Sequence, residues 1–295
     1  MNLSQFFPGS EVVRDSEFAK LGYVDSASPG VLAYADSLKY LQKAEANINV
    51  VCLIVAPELA DLASRFQGVV ASEAPRDAFY RLHLRLIEES LYKAPFEPGI
   101  SSSCKIHPSA IVAEGCRIED NVVVGEQVLI RQPVWIGAGV TIEPGAKIGV
   151  EGILYNKTET GNTLIPHAGY VRIHDNVSLM TNSVIVRSVH DTDVTEVGQG
   201  SLIGLNAIVG HEAKVGRNVV VSNQCVLARK CIIGNNAFIG TNAMIKEHVR
   251  IGNNAQVMAG SVVVNNVDEN ASVSGNFATD HKTRMLEFAR IKARN

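Results

Sequence analysis

The chain has 295 residues, 46% hydrophobic and 19% charged, with a formal net charge of -3 at pH 7. That is apolar material for one large or two ordinary globular domains, and it gives no electrostatic reason for nucleic-acid binding. No apolar run reaches membrane-spanning length, and the N-terminal MNLSQFFPGSEVVRDSEF has no basic start followed by an apolar stretch, so no signal peptide is expected and a cytoplasmic protein is.

Residues 1–99 read as a small α/β domain. NVVCLIVAP is strand-like, and helical stretches are expected around PELADLASRF and PRDAFYRLHLRLIEESL.

A period of six residues begins at Ile100. Aliphatic residues recur at Ile106, Val112, Ile118, Val124, Ile130, Ile136, Ile142 and Ile148. A second array starts at Ile173, Leu179 and Ile185 and runs from Val197 to Val263, broken only at Asp191. Four positions after each aliphatic residue sits a small or β-branched one, such as Ala207, Ala213, Cys225 or Ala237. This period is neither helical nor a two-residue alternation. It predicts one short strand plus a turn, three of which close a triangular coil. Stacked coils, about 4.8 Å apart, then share one core.

Of the five cysteines, Cys104, Cys116, Cys225 and Cys231 fall on the small position, which predicts core packing. No CxxC pair occurs, so no zinc site is expected. The prism is expected over 100–278. Residues 149–172 break its frame, and the second array restarts one residue out of phase, which predicts a protruding loop. A C-terminal helix is expected over 279–295, with Met285, Phe288 and Ile291 on one face. Its basic residues Lys282, Arg284, Arg290, Lys292 and Arg294 suit an acidic partner.

The hexads resemble the hexapeptide-repeat acyltransferases. That resemblance, not the periodicity, implies a left-handed parallel β-helix. It also implies a homotrimer with active sites in clefts between neighbours. The order of parts resembles the UDP-3-O-acylglucosamine N-acyltransferase family of lipid A (lipopolysaccharide) biosynthesis, which has a uridine-binding N-terminal domain. In PGVLAYADSLKY the resemblance makes Tyr34 and Tyr40 the rings that sandwich the uracil, a contact worth about 1–3 kcal/mol per base. GVEGILYN resembles a family loop reading Gly-x-Asp-Gly-Phe-Gly-Tyr and places Glu151 and Tyr155 among the substrate-binding residues. In IVGHEAKVGRNV the family places its catalytic histidine, here His211. KEHVRIGNN supplies His248 at the family's spacing, and the backbone N–H of Arg229, one coil after His211, stands where the oxyanion is held.

The match has departures. Ser37 and Glu212 stand where the family usually has Asn, Gly204 where it has Asp, and Arg229 where it has Gly.

The implied reaction is transfer of an acyl group from an acyl thioester, on acyl carrier protein or CoA, to the amine of a UDP-amino sugar, with no cofactor or metal. A histidine titrating near neutrality suits the base role, typically 10²–10⁴-fold. Glu212 or another carboxylate would fix its tautomer, and backbone amides suit the oxyanion. His248, two coils plus one position on, is too distant to share that proton and suits a hold on the donor or the sugar phosphate. His107, His174 and His190 read as solvated surface residues. Competing readings are an acetyl-CoA-dependent nucleotide-amino-sugar acetyltransferase and a non-catalytic nucleotide-sugar-binding homologue. The metal-dependent γ-type carbonic anhydrases share such a prism but need two histidines five residues apart, and no pair among the eight here has that spacing.

Overall fold

Hexads become coils because their strands are two or three residues long and pair in parallel with the next coil. Lys105 faces Val123 and Val220 faces Phe238, each pair one coil of three hexads apart. A computed structural model, describing residues 1–9, 11–158, 161–275, 278 and 280–292, shows three parallel sheets of nine, eight and eight such strands. They form the faces of the expected left-handed β-helix. The second residue of each strand points inward, so Ile118, Ile130, Ile142, Ile203 and Ile239 join one core cluster with Ala207, Ala213 and Ala237. Cys116, Cys225 and Cys231 are buried in it, and Cys104 packs against it. Corners such as Asn206, Asn218 and Asn236 adopt φ between 54 and 58°. Asn is among the few L-residues that tolerate this region.

The frame shift after Ile148 comes from a real insertion. Thr141 pairs with Ser178, far beyond one coil, and the intervening chain forms an antiparallel hairpin of Tyr155–Thr158 with Gly161–Leu164. The segment lies against the N-terminal region. Asn156 donates to Asp77 Oδ1 at 3.0 Å, and Ile165 is buried among N-terminal core residues.

The gap at Asp191 has a different origin from a substituted rung. Tyr170 pairs with Val194, one hexad more than a coil, so residues 187–193 leave the prism. Because this excursion has the length of a hexad, the aliphatic column resumes in phase behind it. Asp191 meets Lys20 at 3.5 Å, Thr192 Oγ1 donates to the Leu21 carbonyl at 3.0 Å, and Ser28 Oγ donates to the Thr192 carbonyl at 2.9 Å. The excursion is a tie to the N-terminal region.

That region holds a five-stranded sheet in the order Val12–Arg14, Gly68–Ala71, Val50–Val55, Val31–Ala35, Lys20–Leu21, antiparallel only at its first pair. Helices α1 (Leu38–Glu45) and α2 (Pro75–Glu88) pack on it. α2 starts on Pro75, whose missing N–H costs nothing in a first turn, and buries Phe79, Leu82 and Leu86. PELADLASRF is not a helix beyond the single 3-10 turn Pro57–Leu59. Its amides bond three residues back, as in Leu62 to Leu59 and Phe66 to Ala63. These tight turns still bury Leu59, Ala63 and Phe66, so helical spacing of apolar residues was met without an α-helix.

Helix α3 (His281–Lys292) starts after Asp280, whose Oδ1 accepts from the Thr283 amide at 3.0 Å. Met285 and Ile291 are exposed. The side chains of Arg284 and Phe288, and Arg294 altogether, lie outside the described residues. Among the described residues no helix is long and apolar enough to cross a membrane.

Candidate active site

His211 follows strand Ile208–Val209 and Gly210, at a prism corner. Its imidazole is not part of the prism core. It is not open to solvent either: the residue is 6% exposed. The inserted segment covers it. His167 lies with its ring centroid 5.2 Å away, and a Cβ on Gly152 would sit 3.6 Å from His211 Cδ2 and 3.2 Å from His167 Cε1. A glycine at 152 therefore lets this segment approach the ring closely.

Glu212 occupies the corner itself with φ 63° and is 4% exposed. Thr195 Oγ1 accepts its backbone N–H at 2.7 Å, and its Oε1 accepts the Val189 amide at 3.3 Å. Oε2 lies 3.7 Å from His211 Nδ1 and 3.7 Å from Lys230 Nζ. These are ion-pair distances, too long for hydrogen bonds, and both Nδ1 and Oε2 are sealed from solvent without a hydrogen-bond partner. Burial alone would raise the carboxyl's pKa. The neighbouring His211 and Lys230 outweigh it and hold the group down at about 2. The carboxylate is ionised at neutral pH.

One coil above His211 stands Arg229. At Leu205, Arg217 and Asn235, the amide at this place in the hexad is capped by an Asn Oδ1 from the next coil, at 3.0, 2.8 and 2.8 Å. Above His211 is Arg229 and above Arg229 is Glu247, and among the described residues neither amide receives such a cap. The bare Cα of Gly210 faces the Arg229 nitrogen, where a Cβ would come within 2.9 Å. At Gly204 a Cβ would meet Ser222 C at 2.6 Å and Asn223 N at 2.7 Å, so this backbone has no room for an Asp. His248 is exposed, sits at a corner with φ 62°, and donates its backbone N–H to the Arg229 carbonyl at 3.2 Å. Partial burial, then Arg229 and Lys230, lower its imidazole pKa.

A set of buried histidines with no sequence signature lies beside this corner. His190 is 0% exposed, which overturns its surface reading: the 187–193 excursion carries it under the N-terminal sheet. Its ring meets Tyr23 and His83 edge-on at 4.9 Å each and Phe79 at 5.4 Å, and neither ring nitrogen has a partner. His83 Nδ1 is 2.6 Å from Tyr92 Oη and Nε2 is 2.8 Å from the Pro166 carbonyl. Burial pushes His83 down to about 4 and, with help from His211 and Arg187, His167 to about 3; burial and His83 hold His190 well below the ordinary histidine range. No motif marks these residues. Only the break in the aliphatic column at Asp191 hinted at them. By contrast, His107 is exposed and His174 half-buried, 2.6 Å from Glu196.

The remaining candidates lie farther into the N-terminal region. Tyr34, on strand Val31–Ala35, packs its ring 5.1 Å from Phe79 and 6.3 Å from Tyr80. Tyr40, on α1, is 43% exposed with Lys43 Nζ 5.3 Å over its ring. Ring contacts tie Tyr34 to α2, not to Tyr40. Ser37 is the N-cap of α1, but its hydroxyl goes to Asp36 at 3.3 Å. Glu151, next to Gly152, pairs with Arg187 at 2.5 Å. Tyr155 is 49% exposed, and its carbonyl accepts from Arg76 on α2 at 2.9 Å. The structure thus gathers His211, Glu212, Lys230 and Gly152 at one corner, with Arg229 and His248 on the coils above.

Two family models match adjoining stretches of the prism. "Hexapeptide repeat of succinyl-transferase" matches residues 194–229, starting where the chain rejoins the prism, and "Bacterial transferase hexapeptide (six repeats)" matches residues 230–265. A UDP-3-O-acylglucosamine N-acyltransferase of Paracidovorax citrulli is 28% identical over 202 residues, 62% of this chain and 58% of that protein. The chain thus spans little more than half the length of that relative. Among solved structures, the UDP-N-acetylglucosamine acyltransferases of Francisella novicida and Bacteroides fragilis are 26% and 27% identical, with TM-scores of 0.43 and 0.41. The alignments cover 60% and 55% of this chain, and 64% and 66% of those chains.

Proposed function

We propose that this chain, a hexapeptide-repeat protein related to the acyltransferases of lipid A biosynthesis, transfers an acyl group from a thioester to the amine of a UDP-amino sugar. The observation that carries the reading is the His211 imidazole at a prism corner with an ionised carboxylate 3.7 Å from its Nδ1.

In the proposed reaction His211 acts through Nε2. The neutral amine attacks the thioester carbonyl, forming the C–N bond, while Nε2 takes the amine proton. The carbonyl oxygen becomes an oxyanion, for which the uncapped Arg229 amide is the donor. Collapse breaks the C–S bond, and the imidazolium returns its proton to the departing thiolate. Low exposure of the ring keeps bulk water from competing with the amine. His248 is assigned to the donor or the sugar phosphate, and Tyr34 and Tyr40 to the nucleobase, with Glu151 and Tyr155 beside the sugar.

The N-terminal region serves as the nucleotide-binding domain and the prism as the acyltransferase domain. The donor is an acyl carrier protein or CoA thioester, and exposed Lys282, Arg290 and Lys292 on α3 favour an acidic carrier. A homotrimer is supported by outward apolar columns on two prism faces, Ile208, Met244 and Val262 on one and Leu202 and Phe238 on the other. Such donors place the reaction in the cytoplasm.

The test is product chemistry. The protein is incubated with UDP-3-O-acylglucosamine and a panel of acyl-carrier and CoA thioesters, and products are read by mass spectrometry. A base-stable amide product supports the reading. Consumption of acetyl-CoA alone selects the acetyltransferase alternative, and no amide with any donor overturns it.

A further inference from the structure

One corner column of the prism holds neither Asn nor Gly, the residues that fill nearly all the others. The other left-handed corner residues of the second array are Asn at 176, 182, 206, 218, 236, 242, 254 and 270 and Gly at 200 and 260, with Gln224 as the exception. In the column of Glu212, Lys230 and His248, stacked coil on coil, three long or ring side chains take φ of 63, 56 and 62°. Outliers of this kind cost on the order of 1 kcal/mol or more and persist where the surroundings hold them.

Lys230 shows what holds them. Its side chain is 16% exposed, and its Nζ lies 3.7 Å from Glu212 Oε2, 3.2 Å from Asp25 Oδ1 and 4.3 Å from the centroid of the Tyr23 ring. Glu212 belongs to the prism, whereas Asp25 and Tyr23 belong to the N-terminal region. A buried carboxylate needs a cation, and Lys230 is the one lysine or arginine within ion-pair distance of it among the described residues. The same ammonium also spans the junction between the two parts of the chain.

We propose that Lys230 is a positioning residue for acyl transfer: it holds the Glu212 carboxylate toward His211 Nδ1 and couples that geometry to the seating of the N-terminal region through Asp25 and Tyr23. The proposal rests on His211 being the base. The groups that face Glu212 are His211 on its own corner, Lys214 two residues on, Lys230 on the next coil, His167 from the inserted segment, His190 and Asp193 from the 187–193 excursion, and Tyr23 from the N-terminal region. Asp25, Arg229 and His248 stand around Lys230.

The test compares wild type with Lys230→Met, Lys230→Arg and Asp25→Asn in the full-length chain. Three quantities are read: kcat and KM, the acidic limb of the kcat/KM pH profile, and the His211 tautomer and titration by 15N NMR without substrate. In Lys230→Met the loss of a positive charge favours the imidazolium, so the acidic limb moves to higher pH. The proposal expects that shift, a fall in kcat of ~10–100-fold with a much smaller change in KM, and loss of the Nδ1–H tautomer. Lys230→Arg restores most of each; Asp25→Asn lowers kcat and the Nδ1–H population by less, while its loss of a negative charge moves the acidic limb slightly to lower pH. If Lys230→Met does not fold, the other two variants carry the test alone. An unmoved limb and unchanged tautomer in the folded variants overturn the proposal. If wild type forms no amide but the tautomer shift appears, the proposed function fails while the Lys230–Glu212–His211 coupling stands.

Discussion

Oε2 of Glu212 stands 3.7 Å from Nδ1 of His211, although the two residues are consecutive. Neighbours on an extended chain send their side chains to opposite faces. The left-handed φ of Glu212 turns the corner and brings its carboxylate back beside the ring. Replacing it by Gln keeps the shape and removes the charge. Glu212→Gln is expected to lower kcat by about 10²-fold or more, because the base loses the anion that favours Nδ1–H and steadies the imidazolium. Steady-state kinetics with matched thermal stability checks this.

Acid stability follows from the buried histidines. His83 and His167 have folded pKa values of about 4 and 3, below the ordinary 6.5. The stability they contribute is fully present above pH 6.5 and is lost as pH falls toward those values, each on the order of a few kcal/mol. Glu212, held at about 2 against 4.5, loses its contribution in the same direction at lower pH. Asp193, raised by burial and Glu212 from 3.8 to about 6, opposes them by gaining a proton more readily in the folded state. The expected net result is a falling Tm between pH 6.5 and 4, measured by calorimetry. Replacing His83 by Asn should flatten the fall.

Gly152 holds the cover over the base. A Cβ there meets Val186 Cγ1 at 3.0 Å, His167 Cε1 at 3.2 Å and His211 Cδ2 at 3.6 Å. Gly152→Ala is expected to cost about 1 kcal/mol of stability as these neighbours shift, and to reduce kcat several-fold by displacing the imidazole. Chemical denaturation and kinetics on one preparation separate the two effects.

Gly204→Asp places the carboxylate that the family resemblance implies at this position but should not improve the enzyme. Its Cβ would lie 2.6 Å from Ser222 C and 2.7 Å from Asn223 N, both backbone atoms. A loss of about 2 kcal/mol or more is expected in denaturant unfolding. A stable and faster variant would refute that reading of the corner.

The prism was legible because its signal is periodic: each hexad repeats the same aliphatic and small positions, and the core at Ile203, Ala207 and Val209 follows them directly. His211 was legible only with its surrounding motif. Lys230, His190 and Gly152 were not, since their significance arises where two inserted segments and the N-terminal sheet meet one corner. The extra hexad at 187–193 was hidden because its length equals the repeat. α1 and strand Val31–Ala35 were missed, and PELADLASRF misread, because short apolar runs satisfy helix, strand and tight turn alike.

The most direct measurement compares kcat/KM for N-acylation of a UDP-amino sugar by wild type and His211→Ala, together with UDP binding by each. A loss of about 10²–10⁴-fold is predicted, with nucleotide affinity unchanged. Turnover in His211→Ala within tenfold of wild type would contradict the assignment of this imidazole as the base.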